Sequence, residues 1–158
     1  MSILIRVATA EDIPAMHDLI TDLAVYEKEP EAVTLTQATM TEDYAKNLFR
    51  CIVAESEDCI IGMALYYPRY STWKGKSIHL EDFIVKEDFR KSGVGKMLFD
   101  RVVKESQIYG AKRLEWMVLE WNQPALNFYN KIGADIDPEW QVGQLSEDQI
   151  QNFSFTTL

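Results

Sequence analysis

The stretch RKSGVGKML, residues 90–98, constrains the fold most, because two glycines one residue apart stand at the start of a long amphipathic pattern. Apolar residues recur at helical spacing over Val94–Tyr109, and Gly110 follows where a helix commonly ends. The apolar segments Ile78–Val85 before the glycines and Arg113–Leu119 after the helix predict strands. The sequence therefore predicts a β-α-β unit in which a glycine loop leads from a strand into a helix.

The first third of the chain predicts one strand and two helices. Ile3–Val7 has the pattern of a strand, and Thr9 with Asp12 can cap a helix whose apolar residues keep helical spacing. These apolar residues are Ile13, Met16, Leu19, Ile20 and Leu23. Thr36–Phe49 predicts a second helix with a less regular pattern.

A hairpin is predicted in the middle of the chain and a last helix near its end. The hairpin strands are Cys51–Ala54 and Ile60–Tyr67, with a turn at residues 57–58. Asn122 can cap the last helix, and Gly133 lies just past its end. The apolar and aromatic positions of that helix are Leu126, Phe128, Tyr129 and Ile132. We expect two short strands to follow.

Length, composition and charge favour one acidic domain. The 158 residues are 47% hydrophobic, which suits one core and predicts a single domain over residues 1–158. The net charge of -9 disfavours partnership with nucleic acid or an anionic membrane and suits a cationic partner, although acidity for solubility explains it equally well. No apolar segment approaches the length of a membrane span, so we expect a cytoplasmic protein.

The cysteines and histidines predict no metal site. Cys51 and Cys59 lack the short paired spacing of a zinc site, and two cysteines in a domain of this size form no disulfide framework, so buried thiols are expected. His17 and His79 have no partners at ligand spacing. We expect them on a helix surface and near a strand start.

Three kinds of phosphate-binding loop can be compared with the glycine loop. A Walker loop needs glycine at position 90 and serine or threonine at position 97, where Arg90 and Met97 stand. A dinucleotide fingerprint needs a third glycine at position 98, where Leu98 stands. The pattern R-x-x-G-x-G remains, either as an anion site at a helix start or as a simple glycine turn.

The neighbouring segments decide between these two interpretations. L-E-D-F-I-V at 80–85, E-W-N-Q-P-A-L-N-F-Y at 120–129 and K-I-G-A at 131–134, together with R-x-x-G-x-G, resemble the core motifs of the GNAT superfamily of N-acetyltransferases. Tyr26-Glu27, the tyrosine pair before Pro68 and W-x-G at 73–75 are similar to the spermidine/spermine (diamine) acetyltransferases and to the related thialysine N-epsilon-acetyltransferases. The resemblance covers nearly the whole chain.

The resemblance implies an α/β GNAT fold, with a mixed, mostly antiparallel sheet flanked by about four helices in a single N-acetyltransferase domain. It also implies a homodimer and direct acetyl transfer from acetyl-coenzyme A to a small primary amine. An ammonium group has a pKa near 10.4, so a carboxylate is needed to take its proton. In a regular strand Glu81 and Asp82 point to opposite faces. The resemblance makes Glu81 the catalytic carboxylate, acting through a water, and we expect Asp82 to be structural.

The resemblance also assigns the general acid and the cofactor site. Tyr129 is expected to protonate the departing thiolate, and it lies two helical turns after Asn122, on the same face. The pyrophosphate is expected on the backbone N–H groups of residues 91–96. The full set expected to contact acetyl-coenzyme A is Phe83, Ile84, Val85, Arg90, Lys91, Ser92, Gly93, Val94, Gly95, Lys96, Asn122, Pro124, Ala125 and Tyr129.

Amine recognition is expected to use aromatic faces and carboxylates. The expected residues are Tyr26, Glu27, Ser71, Trp73, Glu81 and Glu139. Family members that act on polyamines carry an aspartate where this chain has Ser71, which favours a thialysine-like or lysine-like amine or a short diamine. Spermidine or spermine, and another acceptor such as a protein N-terminus or an aminoglycoside, remain alternatives. A non-enzymatic coenzyme A-binding module is disfavoured by Glu81 and Tyr129.

Overall fold

The computed structural model describes residues 2–155, which form two compact units, the first through Met117 and the second from Val118. The first unit contains β1 (Leu4–Val7), α1 (Ile13–Tyr26), α2 (Gln37–Ala45), β2 (Arg50–Ser56), β3 (Cys59–Ser71), β4 (Gly75–Val85), α3 (Val94–Tyr109) and β5 (Arg113–Glu115). The second contains α4 (Gln123–Lys131) and α5 (Glu147–Gln151). That the two units act as a single domain stays a prediction.

The sheet has five strands in sequence order and is mixed but mostly antiparallel, as predicted. Neighbours from β1 to β4 run antiparallel, and β4 pairs with β5 in parallel. The parallel pairing joins Ser77–His79 to Arg113–Glu115. The connection between these two strands is α3, so the predicted β-α-β unit is confirmed.

The strands β2 and β3 form the predicted hairpin but extend further than expected. Glu57 and Asp58 form its turn with φ of 50° and 60°, the left-handed region that two-residue hairpin loops require. β3 continues past Tyr67 to Ser71. Its pairing with β2 ends at Tyr66, so Pro68 lies where β3 has only one paired neighbour and its missing N–H is tolerated.

Two predicted elements are shorter in the structure. α2 ends at Ala45 rather than Phe49, because Asn47 takes a φ of 57° and the N–H groups of residues 46–48 turn back to the carbonyls of residues 42–44. β5 ends at Glu115 rather than Leu119, because pairing with β4 stops there. The apolar pattern beyond it lacks a ladder partner in the described sheet.

The prediction of two strands after α4 is wrong for the described residues. No strand follows Lys131 there, and a short helix, α5, forms instead. Ser146 and Gln149 make a capping box, in which each side chain accepts a hydrogen bond from the other residue's backbone N–H, at 3.2 and 2.8 Å. This local pairing starts the helix.

The core lies on both faces of the sheet in the first unit. One apolar cluster joins α1 and α2 to alternate strand residues such as Cys51, Val53 and Met63. On the other face, α3 packs so closely that a Cβ on Gly62 would lie 3.2 Å from Leu98. Cys51 is buried as expected, whereas Cys59 is exposed because it directly follows the hairpin turn. Across residues 2–155, no helix has the length and apolarity needed to span a membrane.

Candidate active site

A cavity of about 380 Å³ opens between the first two α-helices and the strands β3 and β4. Its wall combines apolar side chains with three carboxylates and a phenol. The lining residues are Ile20, Leu35, Met40, Asp43, Leu48, Phe49, Leu65, Tyr67, Glu81 and Asp82. An apolar wall with a few polar groups is typical of small-molecule sites.

A β-bulge brings two of these carboxylates to the same cavity. Leu65 pairs with Asp82, but the next residue, Tyr66, pairs with Leu80, so Glu81 is an extra residue in β4. A bulge bends the strand and reorients its side chains. The expectation that strand alternation separates Glu81 from Asp82 is therefore corrected, since both carboxylates line one cavity.

The Glu81 carboxylate is held by two donors on one of its oxygens. The Tyr67 hydroxyl donates to Oε2 at 2.7 Å, and His79 Nε2 lies 3.3 Å from the same atom. The hydrogen bond from His79, followed by that from Tyr67, holds the pKa of Glu81 below its usual value, although burial opposes this effect. Glu81 is therefore ionised at neutral pH and can attract an ammonium group.

The neighbouring Asp82 has the opposite electrostatic behaviour. Burial, followed by the charges of Glu81 and Glu27, raises its pKa to about 6. Glu27 caps the C-terminus of α1, and burial raises its pKa as well. No side chain of the described residues donates a hydrogen bond to Asp82 in the structure. Of the two β4 carboxylates in the cavity wall, Glu81 thus stays charged and Asp82 titrates near physiological pH.

Tyr26 and Arg90, predicted to bind amine and cofactor respectively, meet in the first unit. The Arg90 guanidinium lies 5.3 Å from the centre of the Tyr26 ring, a cation–π arrangement. Arg90 Nε also donates to the Val85 carbonyl at 2.9 Å. These contacts tie the loop after β4 to the end of α1.

The glycine loop leads directly into α3, as predicted. Lys91 and Gly93 have φ of 62° and 91°, and Gly93 is the N-cap. The first hydrogen bond of the helix runs from the Met97 N–H to the Gly93 carbonyl at 3.1 Å. The N–H groups of residues 94–96 therefore precede the helical ladder, which makes this end suited to an anion.

Two other polar side chains of the loop, Ser92 and Lys96, bind within the protein. The Ser92 hydroxyl donates to the Phe89 carbonyl, and Lys96 pairs with Asp100 one turn along α3. A Cβ on Gly95 would lie 3.6 Å from the Phe83 ring, an ordinary contact. The fold itself therefore tolerates a methyl group at position 95, whereas position 93 requires its left-handed backbone.

The predicted cofactor segment of β4 pairs with β3 but extends beyond the part of β4 that pairs with β5. Pairing with β5 covers Ser77–His79 only, so Leu80–Val85 continue past the described end of β5. Ile84 is buried in the core, and Phe83 makes an edge contact with Phe99 at 6.0 Å between ring centres. The role of Phe83–Val85 in cofactor binding stays a prediction.

The second unit contains the remaining predicted cofactor residues. Asn122 caps α4, with its Oδ1 accepting from the Ala125 N–H at 3.3 Å, and Pro124 lies in the first turn. Tyr129 is buried, seven residues after the cap. Glu139 is exposed, and its N–H donates to the Asp137 side chain at 2.9 Å. The predicted cap is confirmed, while the functional roles stay predictions.

Ser71 has a structural role in the turn that joins β3 to β4. Its buried Oγ accepts hydrogen bonds from the N–H groups of Trp73 and Lys74, at 3.2 and 3.1 Å. Trp73 is 79% exposed at the tip of this turn. Whether either residue binds the amine stays a prediction.

Besides Asp82, sequence reasoning missed three polar residues that contribute to the cavity or contact Glu81. Tyr67 is part of the tyrosine pair before Pro68 that resembles the family pattern, but its hydrogen bond to Glu81 depends on the register between β3 and β4. Asp43 had no signal beyond its place in a predicted helix. His79 was expected near a strand start, yet it is buried in the middle of β4, because that strand begins earlier, at Gly75.

Residues 13–134 match the Acetyltransferase (GNAT) family. Thialysine N-epsilon-acetyltransferase from Bos taurus is 34% identical over 142 residues, covering 84% of each chain. Spermidine/spermine N(1)-acetyltransferase-like protein 1 from Homo sapiens is 31% identical over 163 residues, covering 96% of this chain and 24% of that protein. A solved structure of aminoglycoside N-acetyltransferase AAC(6')-Iy in complex with CoA superposes with a TM-score of 0.74 at 16% identity, covering 92% of this chain and 95% of the other. The chain belongs to the GNAT family of acetyltransferases.

Proposed function

We propose that this enzyme transfers an acetyl group directly from acetyl-coenzyme A to the primary amine of a small lysine-like amino acid, such as thialysine, or of a short diamine. The observation that carries the proposal is the cavity of about 380 Å³ with the ionised Glu81 in its wall. The volume lies at the lower end of the range for small-molecule sites. The cavity therefore suits a short acceptor better than a folded protein surface.

The lining chemistry supports a cationic acceptor with a hydrocarbon chain. Ile20, Leu35 and Leu65 offer apolar surface to methylene groups. Asp43, on α2, adds a carboxylate to those on β4, and an ammonium is stabilised by such charges where solvent is limited. An amine at each end of a short chain would meet a carboxylate at each side of the cavity.

The residues proposed for catalysis move two protons. Glu81 accepts the proton of the ammonium, through a water as the family resemblance implies, so that the nitrogen lone pair becomes free to form the new N–C bond. Acetyl-coenzyme A, when bound, supplies the acetyl group as a thioester. The Tyr129 hydroxyl donates its proton to the sulfur as the C–S bond breaks. The acetylated nitrogen loses its remaining extra proton to solvent, and solvent then restores the proton of Tyr129 and removes that of Glu81.

Enzymes of the GNAT family use acetyl-coenzyme A, and the N-terminus of α3 fits its pyrophosphate. The backbone N–H groups of residues 94–96 precede the helical ladder of a sixteen-residue helix. We assign the pyrophosphate to this turn, with Asn122 and the edge of Phe83–Val85 along the pantetheine arm. Calorimetric titration of coenzyme A into Gly93→Val should show binding weakened at least tenfold, since a branched side chain then crowds the anion site.

Gly110→Val is the matched control for that titration. Gly110 ends the same helix with a φ of 75° and has no atom near the position of an added Cβ, as at Gly93. Both variants therefore carry similar backbone strain. Equal coenzyme A affinity in the two variants would show that the glycine loop does not bind the cofactor.

Spermidine or spermine is the second candidate acceptor. Three carboxylates line the cavity, and the net charge of -9 favours the approach of a polycation. Ser71, however, stands where polyamine enzymes of the family carry an aspartate, and its hydroxyl already closes a turn. A long polyamine therefore lacks one distal charge partner, while a carboxylate-bearing amine avoids repulsion there.

The deciding experiment compares thialysine, lysine, putrescine, spermidine and spermine at fixed ionic strength, with release of free thiol from acetyl-coenzyme A as the measurement. We expect thialysine-like amines or putrescine to give the highest kcat/KM. A clear preference for spermine would replace the first candidate with the second. A preference for an aminoglycoside or a peptide N-terminus would overturn both.

Tyr129 is tested by Tyr129→Phe, which keeps the ring and removes the proton. We expect kcat to fall by about 10²-fold with coenzyme A affinity little changed. Tyr109→Phe is the control, since Tyr109 lies at the end of α3 under the Lys76 ammonium. Unchanged turnover in Tyr129→Phe would exclude it as the acid.

We also propose a cytoplasmic homodimer, on the family resemblance and the lack of a membrane-spanning helix in the described residues. Light scattering coupled to size-exclusion chromatography should give a mass near twice the 18.2 kDa of the chain. A monomeric mass at assay concentration would reject the dimer.

A further inference from the structure

His79 lies two residues before Glu81 in β4 and is the most buried polar group next to it, with a side chain only 7% exposed. Its ring stacks on Tyr67 at 5.3 Å between ring centres, with the planes inclined by 33°. Its Nε2 lies 3.3 Å from Glu81 Oε2. The ring is thus fixed by packing in a position where one nitrogen faces the carboxylate.

The other ring nitrogen determines which tautomer is present. His79 Nδ1 lies 3.4 Å from a terminal nitrogen of the Arg69 guanidinium. A guanidinium has donors and no acceptor, so Nδ1 must accept in this contact. The ring proton is therefore on Nε2, from which it is donated to Glu81.

Arg69 is itself held in place from β5. Its guanidinium lies 2.8 Å from Glu115 Oε1, and Arg113 lies 2.9 Å from Glu115 Oε2. The parallel register pairs Glu115 with His79. A row of charged and polar groups therefore runs from Arg113 and Glu115 on β5 to Arg69 on β3. It continues from Arg69 to His79 on β4 and ends at the Glu81 carboxylate on the same strand.

The two donors leave the two oxygens of Glu81 in different states. His79 and Tyr67 both address Oε2. Oε1 receives no hydrogen bond from the described side chains or backbone. Because Oε1 has no donor in the described structure, it is the carboxylate oxygen open to receive a proton at the cavity.

We propose that His79 is a positioning residue for Glu81, whose Nε2–H fixes Oε2 together with Tyr67 so that Oε1 takes the proton of the acceptor ammonium. The proton leaves the ammonium nitrogen for Oε1, directly or through one water, and no other bond changes in this step. This inference rests on the proposed function of Glu81. It assigns to His79 a role that neither the sequence pattern nor the comparisons with known proteins indicate.

The hydrogen bond from His79 is also the largest influence that lowers the pKa of Glu81. Removing the donor should therefore make the carboxylate a stronger base that is protonated at higher pH. The charged and titratable groups that surround the pair are Tyr67 and Arg69 on β3, Asp82 on β4, Arg113 and Glu115 on β5, Asp43 on α2 across the cavity, and Glu27 at the end of α1.

Two substitutions distinguish the effect of the His79 N–H donor from the effect of its ring packing on Tyr67. His79→Phe keeps a ring against Tyr67 and removes the N–H, whereas His79→Gln keeps an N–H donor near the position of Nε2. The first measurement is the titration of the Glu81 carboxyl carbon by ¹³C NMR, assigned by its loss in Glu81→Gln. We expect His79→Phe to raise the Glu81 midpoint by about one pH unit and His79→Gln to stay within about 0.3 unit of the wild type.

The second measurement is kcat/KM against pH, whose acidic limb should follow the same shifts. A Glu81 titration unchanged in His79→Phe would overturn the positioning role whether or not the enzyme acetylates any amine. If the Glu81 NMR titration shifts in His79→Phe but the acidic limb of kcat/KM does not, the contact between His79 and Glu81 is supported. Glu81 is then excluded as the base, and so is proton transfer to its Oε1. Absence of acetyl transfer to all amines would reject the proposed function, and the NMR titration would still decide the role of His79.

A third measurement needs no substitution at His79. Long-range ¹H–¹⁵N correlation on the wild-type protein reports which ring nitrogen carries the proton. The chain has two histidines, and His17→Gln assigns their signals. A protonated Nε2 with an unprotonated Nδ1 supports the proposal, and the reverse tautomer overturns it.

Discussion

Two aspartates at different places in the first unit show how the surroundings of a carboxylate decide its use. Asp12, before α1, receives two hydrogen bonds from the Arg6 guanidinium at 2.7 and 2.8 Å and one from the Thr9 N–H at 2.7 Å. These bonds, led by those from Arg6, lower its pKa to about 2. Asp82 receives no such bonds within residues 2–155, and burial raises its pKa to about 6.

The number of hydrogen bonds that a carboxylate accepts decides whether it stabilises the fold or takes part in binding and proton transfer. A carboxylate with all its acceptor sites filled is a permanent charge that stabilises the fold, and it has no capacity left for a ligand. A carboxylate beside a cavity with unfilled sites is costly for folding and available for binding or proton transfer. Glu81 lies between the two cases, since one oxygen has two donors and the other has none in the described structure.

The largest expected effect is the loss of activity in Glu81→Gln, which tests a carboxylate that is available for proton transfer. Glu81→Gln keeps the size of the side chain and removes the base, so we expect kcat/KM at neutral pH to fall by about 10²- to 10⁴-fold with only a small change in stability. Glu57→Gln, at the exposed hairpin turn, is the control with the same change of charge. The measurement is kcat/KM over pH, and the residual activity of Glu81→Gln should rise toward the pH at which free amine is abundant.

Asp12→Asn tests a carboxylate whose hydrogen bonds stabilise the fold. The substitution leaves Arg6 with a single carboxylate partner, Glu55, and removes charged hydrogen bonds at a nearly buried site. We expect the free energy of unfolding at pH 7 to fall by about 2 to 3 kcal/mol, measured by urea denaturation, with kcat per folded molecule little changed. A loss of activity in Asp12→Asn comparable to that in Glu81→Gln would break the division between the two kinds of carboxylate.

The pH dependence of stability should have opposite signs at the two aspartates. Asp12 has a folded pKa below the unfolded value of about 3.9, so its contribution is complete above pH 4 and is lost as the pH falls toward 2. Asp82 has a folded pKa of about 6, above the unfolded value, so its ionisation lowers stability as the pH rises from 4 through 6. Asp82→Asn should therefore raise the free energy of unfolding by about 1 to 3 kcal/mol at pH 7.5 and by much less at pH 4.

Urea denaturation of Asp82→Asn and wild type at these two pH values checks the sign. Equal stabilisation at both pH values would mean that the gain comes from packing rather than from the charge. Destabilisation at pH 7.5 would show that Asp82 has a partner that fills its acceptor sites, as Asp12 has.

The sequence predicted the elements whose signals are local. α3 has the predicted bounds, Val94–Tyr109, because its apolar period is regular and a glycine with positive φ stands at each end. The arrangement around Glu81 depends on distant residues instead. The bulge exists because β3 and β4 change register at Tyr66, and no property of residues 80–82 alone indicates it.

The same distinction explains the corrections. The burial of His79 follows from its stacking on Tyr67 across the strand pair, and the short β5 follows from the limit of its pairing with β4. After α4, a local capping box forms α5 where strands were predicted. The resemblance identified Glu81 in advance, but it gave no indication of which oxygen faces the acceptor.

The smallest expected effect concerns Asp43, a third kind of carboxylate that lines the cavity from α2 without a described ion-pair partner. In the proposed function it receives the distal charge of a diamine. Asp43→Asn should therefore raise KM for putrescine by about tenfold through loss of a charge-assisted contact, with kcat nearly unchanged because the reacting amine lies at Glu81.

Glu42→Gln provides the matched control for Asp43→Asn, because Glu42 is the preceding residue on α2, is exposed, and does not line the cavity. Both substitutions remove one negative charge, so a general loss of electrostatic attraction would raise KM equally in both. For lysine and thialysine, whose distal end carries a carboxylate beside its amine, Asp43→Asn should change KM less than for putrescine. An equal rise for all amines would show that Asp43 acts through the overall field, and that the distal end of the acceptor lies elsewhere.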